Sequence, residues 1–147
     1  MHSDKNVYVT EYTFLSEKLP EEFEGFRAAI VSDMHNSEYA EKINTELDRA
    51  QADAIIFSGN MIQQPSLDLS NVLKVVEAQK NKSRIFAVFG NHEAQNGYIP
   101  KKAIAKQLCD NGVVLLQNDF SDIKRGDSAI RIIGIEDAGN SGCYIKM

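Results

Sequence analysis

The run Arg84-Ile85-Phe86-Ala87-Val88-Phe89-Gly90-Asn91-His92-Glu93 decides how this chain folds. Its first part is rich in branched and aromatic apolar residues and ends at a glycine, which is typical of a buried strand. The polar Asn-His-Glu that follows must lie where the strand leaves its sheet. We therefore predict a strand over residues 84–89 with a group of polar side chains at its carboxyl end.

Two earlier stretches have the same form as this run. Residues 28–32 lead into Asp33-Met34-His35, and residues 54–58 lead into Gly59-Asn60. The three strand ends are spaced by roughly thirty residues, the length of one βαβ unit. Right-handed crossovers would bring them side by side at one edge of a parallel sheet. Open α/β sheets place their ligand sites beyond this edge, so the sequence predicts an α/β fold with a polar site there.

Helical patterns fill the segments between these strands. Apolar residues recur every three or four positions over 38–50, 66–80 and 101–110, which predicts three helices that each bury one stripe. Ser66 or Asp68 would cap the second helix. Pro100 and Gly112 suit the start and the end of the third helix.

The remaining segments predict additional β-structure. Residues 7–15 alternate partially and predict an edge or half-buried strand, and residues 113–117 predict a fourth core strand. Residues 123–124 and 129–135, joined by Arg125-Gly126-Asp127-Ser128, predict a hairpin that opens a second sheet. With 147 residues and 43% hydrophobic content, the chain is expected to form a single domain, residues 1–147, around one core.

The polar residues at the three strand ends have a narrow chemistry. They supply one carboxylate, two imidazoles and two side-chain amides, from Asp33, His35, Asn60, Asn91 and His92. Such a mixed set of oxygen and nitrogen ligands suits a borderline divalent ion such as Mn, Fe or Zn. The sequence therefore predicts a metal site at the carboxyl edge of the sheet.

In these motifs the chain resembles the calcineurin-like metallophosphoesterases. Their pattern is Asp-x-His, then Gly-Asp, then Gly-Asn-His-Glu/Asp, each after a strand, followed later by a lone His and by Gly-His-x-His. Here the first element stands as Asp33-Met34-His35 and the third as Gly90-Asn91-His92-Glu93, while the second reads Gly59-Asn60. The late histidine motifs have no counterpart, since the chain contains only His2, His35 and His92.

The resemblance implies a fold and a set of roles. The fold would be the amino-terminal part of an α/β/β/α sandwich, with a mostly parallel first sheet and the start of a second, in an apparently incomplete domain. Asp33 and His35 would hold a first metal, Asn91 a second, and Asn60 would bridge them. His92 would contact the phosphate and help the leaving oxygen to take a proton. The implied activity is metal-dependent hydrolysis of a phosphomonoester or phosphodiester by water.

Asn60 reduces the activity that we expect of this chain. A bridging carboxylate offers two anionic oxygens between two repelling cations, whereas an amide offers one neutral oxygen. A second ion should therefore bind poorly, so the site would hold one ion or two. Together with the absent histidines, this predicts a truncated or degenerate copy with weak or no activity.

Two other interpretations remain open from the sequence. The chain would serve as a non-catalytic binding module if its unfinished sheet pairs with a second copy or with another chain, because unpaired strand edges invite pairing. A doubly wound acidic domain of the response-regulator receiver type also fits the length. That type needs a phosphoacceptor Asp after the third strand, where Gly90-Asn91-His92 stands instead.

Composition limits the partners and the location. The net charge of −5 disfavours nucleic acid, which is held chiefly by Lys and Arg clusters. Cys109 and Cys143 are too few for a disulfide framework and are expected to be small buried apolar residues in a reducing compartment. The absence of a signal peptide and of a membrane span predicts a cytoplasmic protein.

Overall fold

A four-stranded parallel sheet organises the structure, a computed structural model that describes residues 7–94 and 101–135. Its strands are β1 (Ala28–Val31), β2 (Ala54–Phe57), β3 (Arg84–Ala87) and β4 (Val114–Leu115), in the spatial order β1-β2-β3-β4. A hairpin follows, formed by β5 (Asp119–Arg125) and β6 (Ser128–Gly134). The helices are α1 (Ala40–Ala50), α2 (Ser70–Gln79), α3 (Asn91–Ala94) and α4 (Lys101–Asp110). A short 3₁₀ turn, Glu21–Phe23, precedes the sheet.

The two faces of the sheet are covered by different layers. Strand residues such as Ile55, Phe57 and Ile85 share one core with the apolar stripes of α1, α2 and α4. Their strand neighbours Ala54 and Phe86 share a second core with residues of the hairpin side. Helices, parallel sheet and hairpin are therefore stacked as three layers, which confirms the predicted α/β fold with the start of a second sheet.

The strand order excludes the receiver-type interpretation. A doubly wound sheet reverses its strand order and places helices on both faces. In the part of the chain that the structure describes, the parallel strands follow one another in sequence order, and the helical residues pack on one face. That interpretation is therefore wrong.

The start of α2 differs from the prediction for a local reason. Asp68 donates its backbone N–H to Ser66 Oγ at 3.0 Å, and Ser70 donates its N–H to Asp68 Oδ1 at 2.8 Å. These side chains form turns before the helix, so the helix begins at Ser70. The N–H of Asn71 is accepted by Asn36 Oδ1 at 2.9 Å, so a residue from a distant loop caps α2.

The predicted strand over residues 7–15 is wrong, because this segment has no strand assignment and pairs with no described strand. Its large apolar side chains point into solvent; Tyr12 is 76% exposed and Leu15 93%. Branched and aromatic residues favour a strand only where a neighbouring strand is there to pack against. Residues 7–15 therefore have the composition of a strand but no neighbouring strand to pair with among the described residues.

The expectation of a buried Cys109 is also wrong. Cys109 is a free, exposed thiol, because α4 buries the stripe of Ile104 and Leu108 and turns its neighbour outward. Cys143 and the predicted helix-starting Pro100 lie outside the described residues. Gly112 has a φ of +85° and ends α4 as predicted. None of the described helices has the length and apolar content that crossing a bilayer requires.

Candidate functional site

The loops that leave β1 and β2 continue the pairing of those strands beyond the sheet. Asp33 donates its N–H to the carbonyl of Gly59 at 3.3 Å, and His35 donates to the carbonyl of Asn60 at 2.9 Å. Asn36 donates to the carbonyl of Met61 at 2.7 Å. The first two polar strand ends predicted from the sequence are thus joined by their backbones.

The backbone of these two loops is left-handed at four residues that are not glycine. The φ angles are +52° at Asp33, +48° at His35, +50° at Asn36 and +52° at Asn60. This conformation is uncommon outside glycine, although Asp, Asn and His tolerate it best. Residues in sparsely populated conformations cluster at functional sites, which supports the placement of a site here.

Two glycines allow the second and third loops to touch. A Cβ added to Gly59 would lie 2.7 Å from Gly90 Cα, and a Cβ added to Gly90 would lie 2.5 Å from Asn60 Oδ1. Gly59 also has a φ of +107°. The loops after β2 and β3 therefore pack backbone against backbone, and side chains at these positions would separate them.

The hydrogen bonds of Asn60 fix the orientation of its amide. Asn60 Oδ1 accepts the backbone N–H of His92 at 3.1 Å, and Asn60 Nδ2 donates to Asp33 Oδ1 at 2.9 Å. A backbone N–H can only donate, so the amide oxygen must face His92. Asn60 consequently directs a donor, not an acceptor, at the Asp33 carboxylate.

Asp33 is an exposed carboxylate whose pKa lies below its ordinary range. The hydroxyl of Ser32 donates to Asp33 Oδ2 and is the largest cause, followed by the amide of Asn60. Partial burial opposes this shift, while His35 and His92 add to it. The site therefore favours the ionised form of Asp33, the form that binds metal ions.

A backbone carbonyl fixes the orientation of the His35 ring. Its Nδ1 lies 3.2 Å from the carbonyl oxygen of Ile62, and since that oxygen can only accept, Nδ1 carries the proton. The lone pair then lies on Nε2, which is 3.8 Å from Asp33 Oδ1. A backbone carbonyl behind the imidazole is a common second partner of histidine ligands. An oxygen of Asp33 and a nitrogen of His35 thus lie near each other.

His92 and Asn91 complete the predicted set. The ring of His92 packs edge-on against that of His35, with the centroids 4.5 Å apart, and its buried Nδ1 has no hydrogen-bond partner among the described residues. The carbonyl of His92 accepts from Gln64 Nε2 at 2.9 Å. Asn91 begins α3 and lines the same cleft as Asp33.

Glu93 is the residue that the sequence analysis missed. Its side chain is fully buried, and its carboxylate accepts backbone N–H groups of Asn60 at 3.0 Å, Ile62 at 3.0 Å and Gly90 at 2.8 Å. The available signal was the acidic residue that closes the Gly-Asn-His-Glu run, which we interpreted only as part of a polar loop.

A cleft lies at the carboxyl edge of the sheet, where the three loops meet. It has a volume of about 320 Å³ and is lined by residues from all three loops and from the end of β6: Ser32, Asp33, Ser58, Gly59, Asn60, Phe89, Gly90, Asn91 and Ile135. Asn60 does not suit a bridging position, because its donor faces Asp33. Within residues 7–94 and 101–135, no group of three or more His, Cys, Asp or Glu side chains converges as a metal site.

Comparison with known proteins identifies the family of this chain. A sequence model of the family described as calcineurin-like phosphoesterase matches residues 26–141, which is most of the chain. The chain belongs to this family. It is also 27% identical over 143 residues to an uncharacterized metallophosphoesterase, YkuE, of Bacillus subtilis (strain 168). That match covers 89% of this chain and 48% of the relative, so the chain spans about half the length of the relative.

Family membership confirms the resemblance carried by the three motifs and supports a phosphoesterase-type function, and the family is in general dependent on divalent metals. The structure brings Asp33, Asn60 and Asn91 to one cleft and sets His35 and His92 against each other beside it. Their assignment as metal ligands and as the catalytic histidine stays a prediction.

Proposed function

We propose that this chain is a phosphoester hydrolase of low activity that holds a single divalent ion between Asp33 and His35. The observation that carries the proposal is the distance of 3.8 Å between Asp33 Oδ1 and His35 Nε2, beside the cleft at the carboxyl edge of the sheet. The substrate would be a phosphomonoester or a phosphodiester, and the ion Mn, Fe or Zn. The cytoplasmic location expected from the sequence belongs to the same proposal.

The roles of the side chains follow from their positions. A bound ion would polarise the phosphoryl group and make water a better nucleophile near neutral pH. Asp33 would supply negative charge to hold that ion, and His35 Nε2 would supply its lone pair, since the carbonyl of Ile62 accepts from Nδ1. His92 is proposed to donate a proton to the leaving oxygen, and Asn91 to bind the phosphate or a more weakly held ion.

Asn60 is the reason for the low activity in this proposal. Its NH₂ group donates to Asp33 Oδ1, whereas a residue shared between two ions would have to offer acceptors. Rotating the amide would place that NH₂ against the backbone N–H of His92, which also donates. Both orientations therefore oppose a second ion.

Replacing Asn60 with Asp tests this account. In Asn60→Asp, one carboxylate oxygen still accepts the His92 N–H while the other faces Asp33, so the variant should bind a second Mn²⁺ at least about tenfold more tightly, or about 1.4 kcal/mol. Without metal it should be less stable than the wild type, because two carboxylates face each other. Calorimetric titration with Mn²⁺ and thermal unfolding with and without Mn²⁺ measure these effects.

Asn118→Asp is the matched control, since Asn118 also has a left-handed backbone, with a φ of +54°, and does not line the cleft. Hydrolysis of nitrophenyl phosphomonoester and diester with Mn²⁺ should rise in Asn60→Asp and fall to background in His92→Ala. A second-ion affinity equal in Asn60→Asp, Asn118→Asp and the wild type would contradict the site assignment.

A second candidate function is a binding module, and it rests on a different observation. The outward face of the hairpin exposes Phe120 by 50% and Ile133 by 61%, and Ile30 on the edge strand β1 is 69% exposed. Exposed apolar patches beside open strand edges mark contact surfaces. In this proposal a second copy of the chain pairs with the hairpin.

Size-exclusion chromatography with light scattering over a range of concentrations tests the pairing. The wild type should form dimers that Ile133→Lys abolishes. Ala129→Lys adds the same charge on the same outward face of β6 and should leave the dimer largely intact. A monomer at every concentration would contradict this second function.

A further inference from the structure

The Glu93 carboxylate lies beside the loop that follows β2, on the side where a neighbouring strand would continue the sheet. Beyond β3 the chain turns into α3, so the loop that extends β2 loses its backbone partner on that side. Glu93 is carried by that same helix and presents both its oxygens to the N–H groups of Asn60 and Ile62. The carboxylate oxygens thus accept hydrogen bonds that the carbonyl groups of a neighbouring strand would accept within a sheet.

The burial of the Glu93 carboxylate requires these hydrogen bonds. Burying a carboxylate is costly unless hydrogen bonds compensate, and Glu93 is fully buried with three backbone donors around it. Hydrogen bonds to charged groups are stronger than those between neutral groups. Glu93 therefore holds two loops together, since Asn60 and Ile62 follow β2 while Gly90 follows β3.

The opposite side of the same loop holds the proposed ion site. The carbonyl of Asn60 accepts the N–H of His35 at 2.9 Å, and the carbonyl of Ile62 accepts from His35 Nδ1 at 3.2 Å. Asn60 and Ile62 are the two residues whose N–H groups Glu93 binds. The backbone at both residues is thus fixed between Glu93 on one side and His35 on the other.

We propose that Glu93 is a positioning residue, which sets the orientation of His35 through the backbone of Asn60 and Ile62 without touching the ion or the substrate. The inference rests on the proposed function, because the site that it positions is the Asp33–His35 pair. The effect of Glu93 on His35 can be measured without metal.

The decisive variant is Glu93→Gln, which keeps the size of the side chain and replaces one acceptor oxygen with a donor that faces backbone donors. Amide hydrogen exchange at Asn60, Ile62 and Gly90, followed by NMR without metal, should accelerate at least about tenfold, and the amide and imidazole signals of His35 should shift. The affinity for Mn²⁺ should fall about 10- to 100-fold, the range typical when a residue behind a metal ligand is changed.

Two further variants separate positioning from general support of the fold. Glu77→Gln makes the same chemical change at an exposed position of α2 and should alter neither exchange in the loops nor Mn²⁺ affinity. Glu93→Asp keeps the charge and should recover part of the affinity that Glu93→Gln loses. It also remains measurable should Glu93→Gln fail to fold.

Each outcome decides the proposal. A Glu93→Gln variant with a lower melting temperature but unchanged His35 signals and Mn²⁺ affinity would overturn it, because Glu93 would then support the fold only. If the wild type binds no Mn²⁺, the proposed function fails, and the His35 signals alone decide the positioning role. A shift of those signals in Glu93→Gln supports the role, and unchanged signals overturn it.

Discussion

The two edges of the parallel sheet each contain a carboxylate that binds backbone, and they use it differently. At the carboxyl edge, Glu93 is fully buried and accepts three backbone N–H groups from two loops. At the amino edge, Asp53 is partly exposed, accepts the N–H of Arg27 at 2.8 Å and pairs with the guanidinium of Arg125. The first carboxylate holds loops around a cleft, whereas the second holds the hairpin to the sheet.

The surroundings of the two carboxylates explain this division. The amino edge is closed by contacts that satisfy the backbone, such as the bond from Arg27 Nη1 to the carbonyl of Ala50 at 2.9 Å. Arg125 also lies over the ring of Phe23, 5.4 Å from its centroid. Among the described residues, four left-handed residues other than glycine lie in the loops of the carboxyl edge, against Gln51 at the amino edge, and the carboxyl edge opens to a cleft. Conformational strain is therefore concentrated at the edge where a ligand is expected, and charge pairing stabilises the opposite edge.

The largest effect is expected from Gly59→Ala at the carboxyl edge. The new Cβ would lie 2.7 Å from Gly90 Cα, a backbone atom that cannot rotate away, and φ is +107°. We expect a loss of about 3 kcal/mol or more in the free energy of unfolding, and the loss of Mn²⁺ binding as the loops separate. Urea denaturation and calorimetric titration measure the two effects.

Gly25→Ala is the control for that experiment. Gly25 also has a positive φ, +72°, but a Cβ there would meet nothing within 4 Å, so only the conformational cost of about 1–2 kcal/mol applies. Equal losses in the two variants would show that the close approach of Gly59 and Gly90 contributes nothing.

A moderate effect is expected from Arg125→Met at the amino edge. This change keeps an apolar stem but removes the ion pair with Asp53, the hydrogen bond to the carbonyl of Glu22 at 3.2 Å and the contact with Phe23. The free energy of unfolding should fall by about 2 kcal/mol, while Mn²⁺ affinity stays within about twofold of the wild type. Lys124→Met, at the exposed neighbouring position, should change neither. A large loss of Mn²⁺ affinity in Arg125→Met would contradict the view that the amino edge contributes to stability alone.

The architecture, and the meeting of three polar strand ends at one cleft, could be predicted because both depend on local pattern. A short apolar run that ends in a polar residue indicates a strand end, and parallel βαβ connections bring such ends together. Asp33, Asn60 and Asn91 accordingly line one cleft. The helical stripes followed from periodicity and the hairpin from its turn residues, although β5 begins at Asp119, four residues before the predicted strand.

The details that were missed depend on contacts between distant residues. The sequence pattern does not show that Glu93 turns inward to bind Asn60 and Ile62, or that the N–H of His92 fixes the amide of Asn60. The strand predicted at residues 7–15 is absent for the same reason, since strand formation requires a partner that the pattern of a single segment cannot identify.

The smallest effect concerns pH at the amino edge, where α1 ends. Asp48 accepts from Lys82 Nζ at 2.7 Å and from Gln79 Nε2 at 3.0 Å, and these bonds hold its pKa below the ordinary 3.8, with Lys82 the larger cause. Because the pKa is lower in the folded state than in the unfolded chain, this stabilisation is complete above about pH 3.8 and is lost as the pH falls through the folded value.

Thermal unfolding of Asp48→Asn and wild type should therefore differ slightly and constantly from pH 7 to pH 5, and the difference should close below pH 3.8. Salt should reduce the difference too, because a lysine is the larger cause and the pair is exposed. Asp33 at the carboxyl edge provides the contrast, since its pKa is lowered mainly by the neutral donors Ser32 and Asn60 and should respond little to salt. A salt response of equal size at Asp33, followed by NMR titration of its carboxyl carbon, would show that the two edges share one electrostatic basis.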